Sequence, residues 1–286
     1  MNLTNPSQLK NVLAAYGFSF SKSLGQNFLI DENVLNIIIE GSGINGEWGA
    51  LEIGPGAGTL TRALAENSQK TVAVEIDKRL LPLLEYTLND FKNTKVINAD
   101  VMELDLNALI SEEFGDMSVA VCAILPYYIT TPIIMKVLEE CQRVKSMTVM
   151  IQKEVAMRMV ASPGGKDYGA LSVAVQFYTK PKIVCHAEPH CFMPQPKVAS
   201  TVVSLEVLDK PSVEVSNKKL FFNIVKSAFG QRRKTLLNAL SKSPYISVEK
   251  EIIVSAMEKA GIAPDIRGEK LSLEEFAAIT DYIEKG

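Results

Sequence analysis

Short apolar, β-branched runs alternate with helix-patterned stretches through the first two-thirds of the chain. Residues 50–53, 71–76, 96–99, 119–125 and 147–151 have strand length, and each is followed by apolar residues at helical spacing. The alternation predicts a parallel sheet with helices on both faces. Residues 171–178 and 201–207 read as two further strands with no long helix between them, expected to form a hairpin at the sheet edge around a loop holding Pro189, Pro194 and Pro196. Residues 206–216, with Pro211 and mixed charge, read as a linker. Beyond it only helical patterns occur: Leu220, Phe221, Ile224, Val225 and Ala228 share one face, and 248–261 and 272–285 behave alike. The expected fold is a doubly wound, mostly parallel α/β domain over 1–211, followed by a small all-α domain over 212–286.

At 286 residues and 47% hydrophobic content, the chain can bury a full core. Its four cysteines include no C-x-x-C pair, which argues for reduced thiols over a disulfide framework. Residues 1–10 lack an apolar stretch, and the run 119–129 is broken by Pro126 and too short to span a bilayer. A soluble cytoplasmic protein is expected. The net charge of −3 is unevenly spread. Seven basic residues and no acid lie between Lys218 and Lys242, and the first thirty residues carry Lys10 and Lys22 with no acid. If the fold brings the two blocks together, they predict a polyanion-binding surface; each alone could equally be a solvated helix face.

Candidate chemistry begins at Gly54, Gly56 and Gly58, which follow the first strand and precede a helix over 59–66. The spacing is G-x-G-x-G, not the G-x-G-x-x-G of a pyrophosphate-binding turn, and by itself is a weak signal. Glu75 ends the second strand, where a carboxylate can accept from two ribose hydroxyls, and Asp100 ends the third, where it can accept from an adenine amine. Three such positions along the carboxyl edge of one sheet point to an adenosine ligand without a phosphate site, S-adenosylmethionine in preference to NAD. Seventy residues after Gly54 comes Ile124-Leu125-Pro126-Tyr127-Tyr128. Its proline fixes the backbone after a buried strand, and Tyr127 offers a face for a flat ring. Tyr128 is expected in the core. Cys185, His186, His190 and Cys191 crowd one segment, whereas structural zinc sites draw ligands from separated loops, so no metal is expected there.

Together with Gln26-Asn27-Phe28-Leu29, Gln152-Lys153-Glu154-Val155, Pro194-Gln195-Pro196-Lys197-Val198 and Gln231-Arg232-Arg233-Lys234-Thr235, these motifs closely resemble the ribosomal RNA adenine N6,N6-dimethyltransferases over nearly the whole chain. The resemblance implies a class I, Rossmann-like methyltransferase fold. It implies donor binding by Asn27, Leu29, Gly54, Gly56, Glu75 and Asp100, with the Asn27–Leu29 segment folding over the donor. It further implies transfer to N6 of two adjacent adenines near the 3′ end of small-subunit rRNA on the assembling 30S particle, by a chain acting as a monomer without membrane or metal. By the same resemblance, Leu125, Pro126 and Tyr127 are expected to form the catalytic loop, with Tyr127 stacking on a splayed-out base. Phe192 reads as a loop aromatic closing over the base pocket or as simple packing. Arg232, Arg233 and Lys234 read as the start of a helix, where cations oppose the dipole and so are expected to face phosphate.

The chain departs from the family at one place. The family's fourth motif reads Asn-Leu-Pro-Tyr, and Ile124 stands in the asparagine position. An asparagine oxygen and a loop carbonyl would both accept from the adenine amine. Ile124 removes one acceptor, at a cost of about 1–3 kcal/mol. Three readings stay open at this stage: a naturally weakened enzyme, an altered one, and a ribosome-assembly factor that binds RNA with little or no methylation. A Rossmann dehydrogenase is a weaker reading, because no catalytic histidine or tyrosine–lysine pair accompanies the glycines.

Overall fold

The computed structural model describes residues 1–21 and 24–285, so Lys22 and Ser23 of the first acid-free block lie outside the described residues. The chain divides into two compact units, residues 1–156 with 181–207 and residues 157–180 with 208–286. Among the described residues no helix is long and apolar enough to cross a membrane.

The first unit opens with α1 (Pro6–Ala15), capped by the Asn5 side chain, then β1 (Phe28–Leu29) and α2 (Glu32–Ser42). Strands and helices then alternate: β2 (Gly49–Ile53), α3 (Thr59–Asn67), β3 (Lys70–Glu75), α4 (Leu81–Thr87), β4 (Thr94–Asn98), α5 (Leu106–Phe114), β5 (Val119–Ile124), α6 (Thr130–Glu140) and β6 (Val144–Gln152). All five runs expected to be strands are strands. β2 is buried throughout, as is β5 up to Ile124, because helices cover both faces of a parallel sheet. Each fully buried Leu, Val or Ile side chain there stabilises the fold by roughly 1.5–3 kcal/mol.

The chain continues through α7 (Lys153–Met159), α8 (Ala170–Tyr178), β7 (Thr179–Ala187), β8 (Phe192–Met193) and β9 (Ser200–Val207). Among the described residues seven strands form one sheet in the order β4-β3-β2-β5-β6-β9-β7. The pairs from β4 to β6 are parallel, and β9 runs antiparallel to β6 with Gln152 opposite Ser200. β1 and β8 pair separately, Leu29 opposite Phe192.

One expected strand is a helix. Residues 171–178 form most of α8, since a short, mostly apolar run interrupted only by Ser172 and Gln176 suits a buried strand and a buried helix equally. Tertiary contacts within the second unit decide the matter. The Ser172 hydroxyl accepts from the Gly169 N–H at the helix start, and the Gln176 amide donates to the Met159 and Ala161 carbonyls at 2.9 Å. Phe177 packs on Phe221 and Phe222 at 5.1 and 5.2 Å between ring centroids. The edge strand is therefore β7, which starts where α8 ends.

One boundary is expected from the sequence, after residue 211; the second unit instead begins again at residue 208 and also takes in residues 157–180, which were expected in the first. The second unit also holds α9 (Lys218–Gly230), α10 (Leu236–Ser241), α11 (Lys250–Lys259) and α12 (Leu273–Glu284). Phe221, Ile224, Val225 and Ala228 are buried on one face of α9, as their spacing requires. Tyr168 is fully buried, with its hydroxyl donating to the Leu271 carbonyl at 2.9 Å. A capping box of Ser272 and Glu275 starts α12.

Candidate active site

Chain order reverses between β2 and β5, which leaves a crevice at the carboxyl ends of these parallel strands. A cavity of about 130 Å³ opens there, within the first unit. Gly54, Glu75, Asp100, Ile124, Leu125 and Tyr127 all border it, so the fold joins the glycine turn, the two strand-end acids and the proline loop in one site.

Gly54 and Gly56 have φ of +75° and +59°, which side-chain-bearing residues rarely adopt. Their surroundings differ. A methyl group on Gly54 would meet nothing within 4 Å, whereas one on Gly56 would lie 2.9 Å from the Phe28 ring. The first glycine leaves room for a ligand, and the second lets β1 close down on the turn. Glu75 is buried; its Oε1 accepts from the Asp77 N–H at 2.7 Å and its Oε2 from the Gly56 N–H at 3.3 Å. Burial pushes its carboxyl above the usual range, against the pull of those two bonds. The Asp100 Oδ1 accepts from the Met102 N–H at 2.8 Å, which fixes that side chain at the cavity wall.

Asn27 and Leu29 border the same cavity, the Asn27 amide donating to the Gly25 carbonyl at 3.0 Å. Gln26 ties this segment to the end of β3, donating to Asp77 Oδ2 at 2.8 Å. Arg79 pairs with the same carboxylate at 2.6 Å and holds Asp77 below the usual range.

Two further cavity residues escaped the motif reading. Glu52, in the middle of the glycine motif's strand, is fully buried with its Oε2 lacking a hydrogen-bond partner, and burial pushes its carboxyl up to about 8. Thr59 likewise has a buried hydroxyl without a partner. Both line the cavity. Their alternation within a buried strand and their place at a helix start look structural in the sequence; only the cavity shows that these polar atoms lack partners.

At the other end, the Leu125 N–H donates to the Met150 carbonyl at 3.1 Å, which extends the β5–β6 ladder one residue into the loop. The Pro126 carbonyl accepts from the Ile129 N–H at 3.3 Å and the Thr130 hydroxyl at 3.1 Å. None of the described hydrogen bonds ends on the Leu125 carbonyl, which makes it an available acceptor in the loop. Ile124 is half-buried and packs against the apolar cluster under β2 and β5. The Tyr127 hydroxyl bonds the Ser200 hydroxyl at 2.8 Å, and burial pushes the phenol up. Ser200 too was missed, since it pairs with the loop only through the β6–β9 register.

Three expectations change. Tyr128 is 62% exposed and borders the cavity beside Tyr127, so it is not a core residue. Phe192 is not a loop residue: it is 3% exposed in β8, where it packs beneath β1 and borders the cavity from within the wall. Arg232, Arg233 and Lys234 do not begin a helix but form the turn between α9 and α10. Cations just past the C-terminus of α9 suit its dipole, so the electrostatic argument for phosphate no longer holds. Within the second unit, the Arg232 guanidinium pairs with Glu269 at 2.9 Å and donates to the Lys166 and Tyr168 carbonyls. It acts as a brace, while Arg233 and Lys234 are exposed.

Comparison with known proteins agrees with this architecture. The chain is 51% identical to the ribosomal RNA small subunit methyltransferase A of Alkaliphilus oremlandii, over 99% of this chain and 98% of that one. The protein of the same name from Geobacillus thermodenitrificans is 50% identical, over 99% and 97%. A dimethyladenosine transferase from Plasmodium falciparum superposes with a TM-score of 0.74 at 26% identity, covering 88% of this chain and 95% of that one. The 23S rRNA methyltransferase ErmE shares the fold, with a TM-score of 0.68 at 24% identity, covering 90% and 99%. The model of the ribosomal RNA adenine dimethylase family matches residues 17–285, and the chain belongs to that family.

Proposed function

We propose that this chain uses S-adenosylmethionine to dimethylate N6 of two adjacent adenines near the 3′ end of small-subunit rRNA, during assembly of the 30S particle in the cytoplasm. The observation that carries the reading is the meeting of a glycine turn, two strand-end acids and a proline–tyrosine loop around one cavity. The cavity fits the donor: open space over Gly54 and the partnerless polar atoms of Glu52 and Thr59 are what an amino-acid-bearing nucleoside would fill. When bound, S-adenosylmethionine supplies an electrophilic methyl group on a sulfonium.

The chain's own residues do the rest. Glu75 accepts from the ribose hydroxyls and Asp100 from the donor's adenine amine, while Asn27 and Leu29 cover the site. The Leu125 carbonyl accepts from the substrate amine and orients its lone pair. Tyr127, anchored through Ser200, stacks on the target base, which must leave its RNA stack to enter. The alkylated nitrogen becomes acidic and loses its proton to water, so no general base is required. Ile124 cannot replace the asparagine oxygen, so transfer is slowed but not abolished. Among the expected RNA contacts, Arg233 and Lys234 remain available for phosphate, and the chain acts as a monomer.

The test is transfer of tritiated methyl from S-adenosylmethionine to small subunits lacking the modification. Counts appearing in N6,N6-dimethyladenosine support the reading. Donor binding without transfer would favour the assembly-factor reading, and absence of donor binding would sink both the reaction and the cavity assignment.

A further inference from the structure

The four metal-prone side chains of the 185–191 stretch do not stay together. His186 Nδ1 shares a hydrogen bond with the Thr201 hydroxyl at 2.8 Å, and Cys185 lies on β7. His190 and Cys191 instead meet Asp31, which comes from the other end of the unit's sequence. A ring nitrogen of His190, the Cys191 sulfur and a carboxylate oxygen of Asp31 all lie within 4.8 Å of one another.

The arrangement is held from several sides. Asp31 Oδ1 caps α2 by accepting from the Val34 N–H at 3.0 Å, and Oδ2 faces Cys191 Sγ at 3.5 Å. The Ile30 N–H donates to the Cys191 carbonyl at 2.8 Å, and Leu29 pairs with Phe192, so the two segments are in fixed register. Cys191 is 5% exposed and His190 is exposed, which leaves one side open to water. The objection raised by sequence, that one short segment held all the ligands, is removed by the fold: the ligands come from two separated loops, and three protein ligands leave a fourth position for water.

We propose that Asp31, His190 and Cys191 form a binding site for a zinc-like divalent ion, with water completing a tetrahedral shell. Thiolate, imidazole and carboxylate together select zinc and cobalt over the hard cations magnesium and calcium. The 3.5 Å Asp31–Cys191 separation already matches neighbouring ligands on one ion, and a ring nitrogen of the exposed His190 lies within 4.8 Å of both. Binding converts the Cys191 thiol to a thiolate and releases its proton to solvent, one per ion. The ion would clip β1 to β8, the strands through which Leu29 and Phe192 wall the cavity. The site is independent of what the cavity binds.

Titration of tag-free, reduced protein with cobalt(II) tests this. One equivalent is expected, with a sulfur-to-cobalt charge-transfer band in the near ultraviolet, one proton released per ion, and displacement by zinc. Cys191→Ser should abolish the band, His190→Ala should weaken binding at least about tenfold, and Cys185→Ser should leave both unchanged. His190 is exposed, so its variant decides the question even if Cys191→Ser folds poorly. A thiolate band absent from the parent protein, retained at full affinity in His190→Ala, or lost in Cys185→Ser overturns the site, and Asp31 and Cys191 are then a thiol–carboxylate hydrogen bond alone.

Discussion

At the end of the cavity where the donor is proposed to sit, the groups on offer are backbone turns and strand-end acids, Glu75 buried and Asp100 half-buried. Gly54 and Gly56 hold positive φ, and Glu75 is oriented by two backbone N–H groups. At the proposed acceptor end Ile124 packs against an apolar cluster, and the polar groups are the Leu125 carbonyl, on which none of the described hydrogen bonds ends, and the Tyr127 and Ser200 hydroxyls, which bond each other. On the proposed function, the contrast teaches that donor binding would be spread over several mutually supporting positions, whereas amine activation would depend on few. A substitution at residue 124 therefore affects rate and leaves donor affinity alone.

Four tests break or sharpen that contrast, in falling order of size. Gly54→Val imposes a branched side chain at φ +75° and fills the open space, and should lower donor affinity at least about 100-fold, strain of ~1–3 kcal/mol adding to lost volume. Calorimetric titration reads it, and affinity within a few-fold of the parent would remove the glycine turn from the donor site. Ile124→Asn should raise turnover on the order of 5- to 150-fold, corresponding to ~1–3 kcal/mol, with donor affinity unchanged. Equal turnover in both forms means that the second acceptor is not what this chain lacks.

The third concerns pH. Because burial raises the folded-state pKa of Glu52 to about 8 from an ordinary 4.5, the folded chain keeps a proton that the unfolded chain loses. Below about 4.5 the group contributes nothing. Stability then falls as pH rises toward 8, by up to ~1.4 kcal/mol per pH unit, and stays reduced above it. Glu52→Gln should flatten that decline, as seen in denaturant midpoints from pH 5 to 8; parallel slopes would mean that Glu52 is ionised in the folded protein. The smallest effect separates neighbouring arginines. Arg233→Ala should lower the salt slope of RNA binding by roughly 0.7–0.9 with the melting temperature unchanged. Arg232→Ala, which loses its bonds to Glu269 and two carbonyls, should cost ~0.5–1.5 kcal/mol of stability. Reversed results would exchange the roles of brace and phosphate contact.

Much of the site was legible because its signals are local. A glycine needed for positive φ, an acid at a strand end and a proline after a buried run each mark themselves in the sequence, and their spacing fits the alternating strands. What escaped notice depends on distant partners. Ser200 becomes relevant to Tyr127 only through the antiparallel register of β6 and β9. Glu52 gave no local sign that its carboxyl lacks a partner. Residues 171–178 were misread because Leu171, Val173, Val175 and Phe177 alternate with smaller or polar neighbours as in a strand, and it was packing on Phe221 and Phe222 that selected the helix.

By itself the sequence determined the alternation of elements, the parallel sheet and the family, since burial on both faces writes continuous apolar runs and turn chemistry writes glycine and proline. Only the tertiary structure decided that Arg232 braces its own unit, that Phe192 lies inside a wall, and that Asp31 stands beside Cys191. These are contacts between residues far apart in the chain, and no local preference encodes which distant side chain a polar group will find when the core closes.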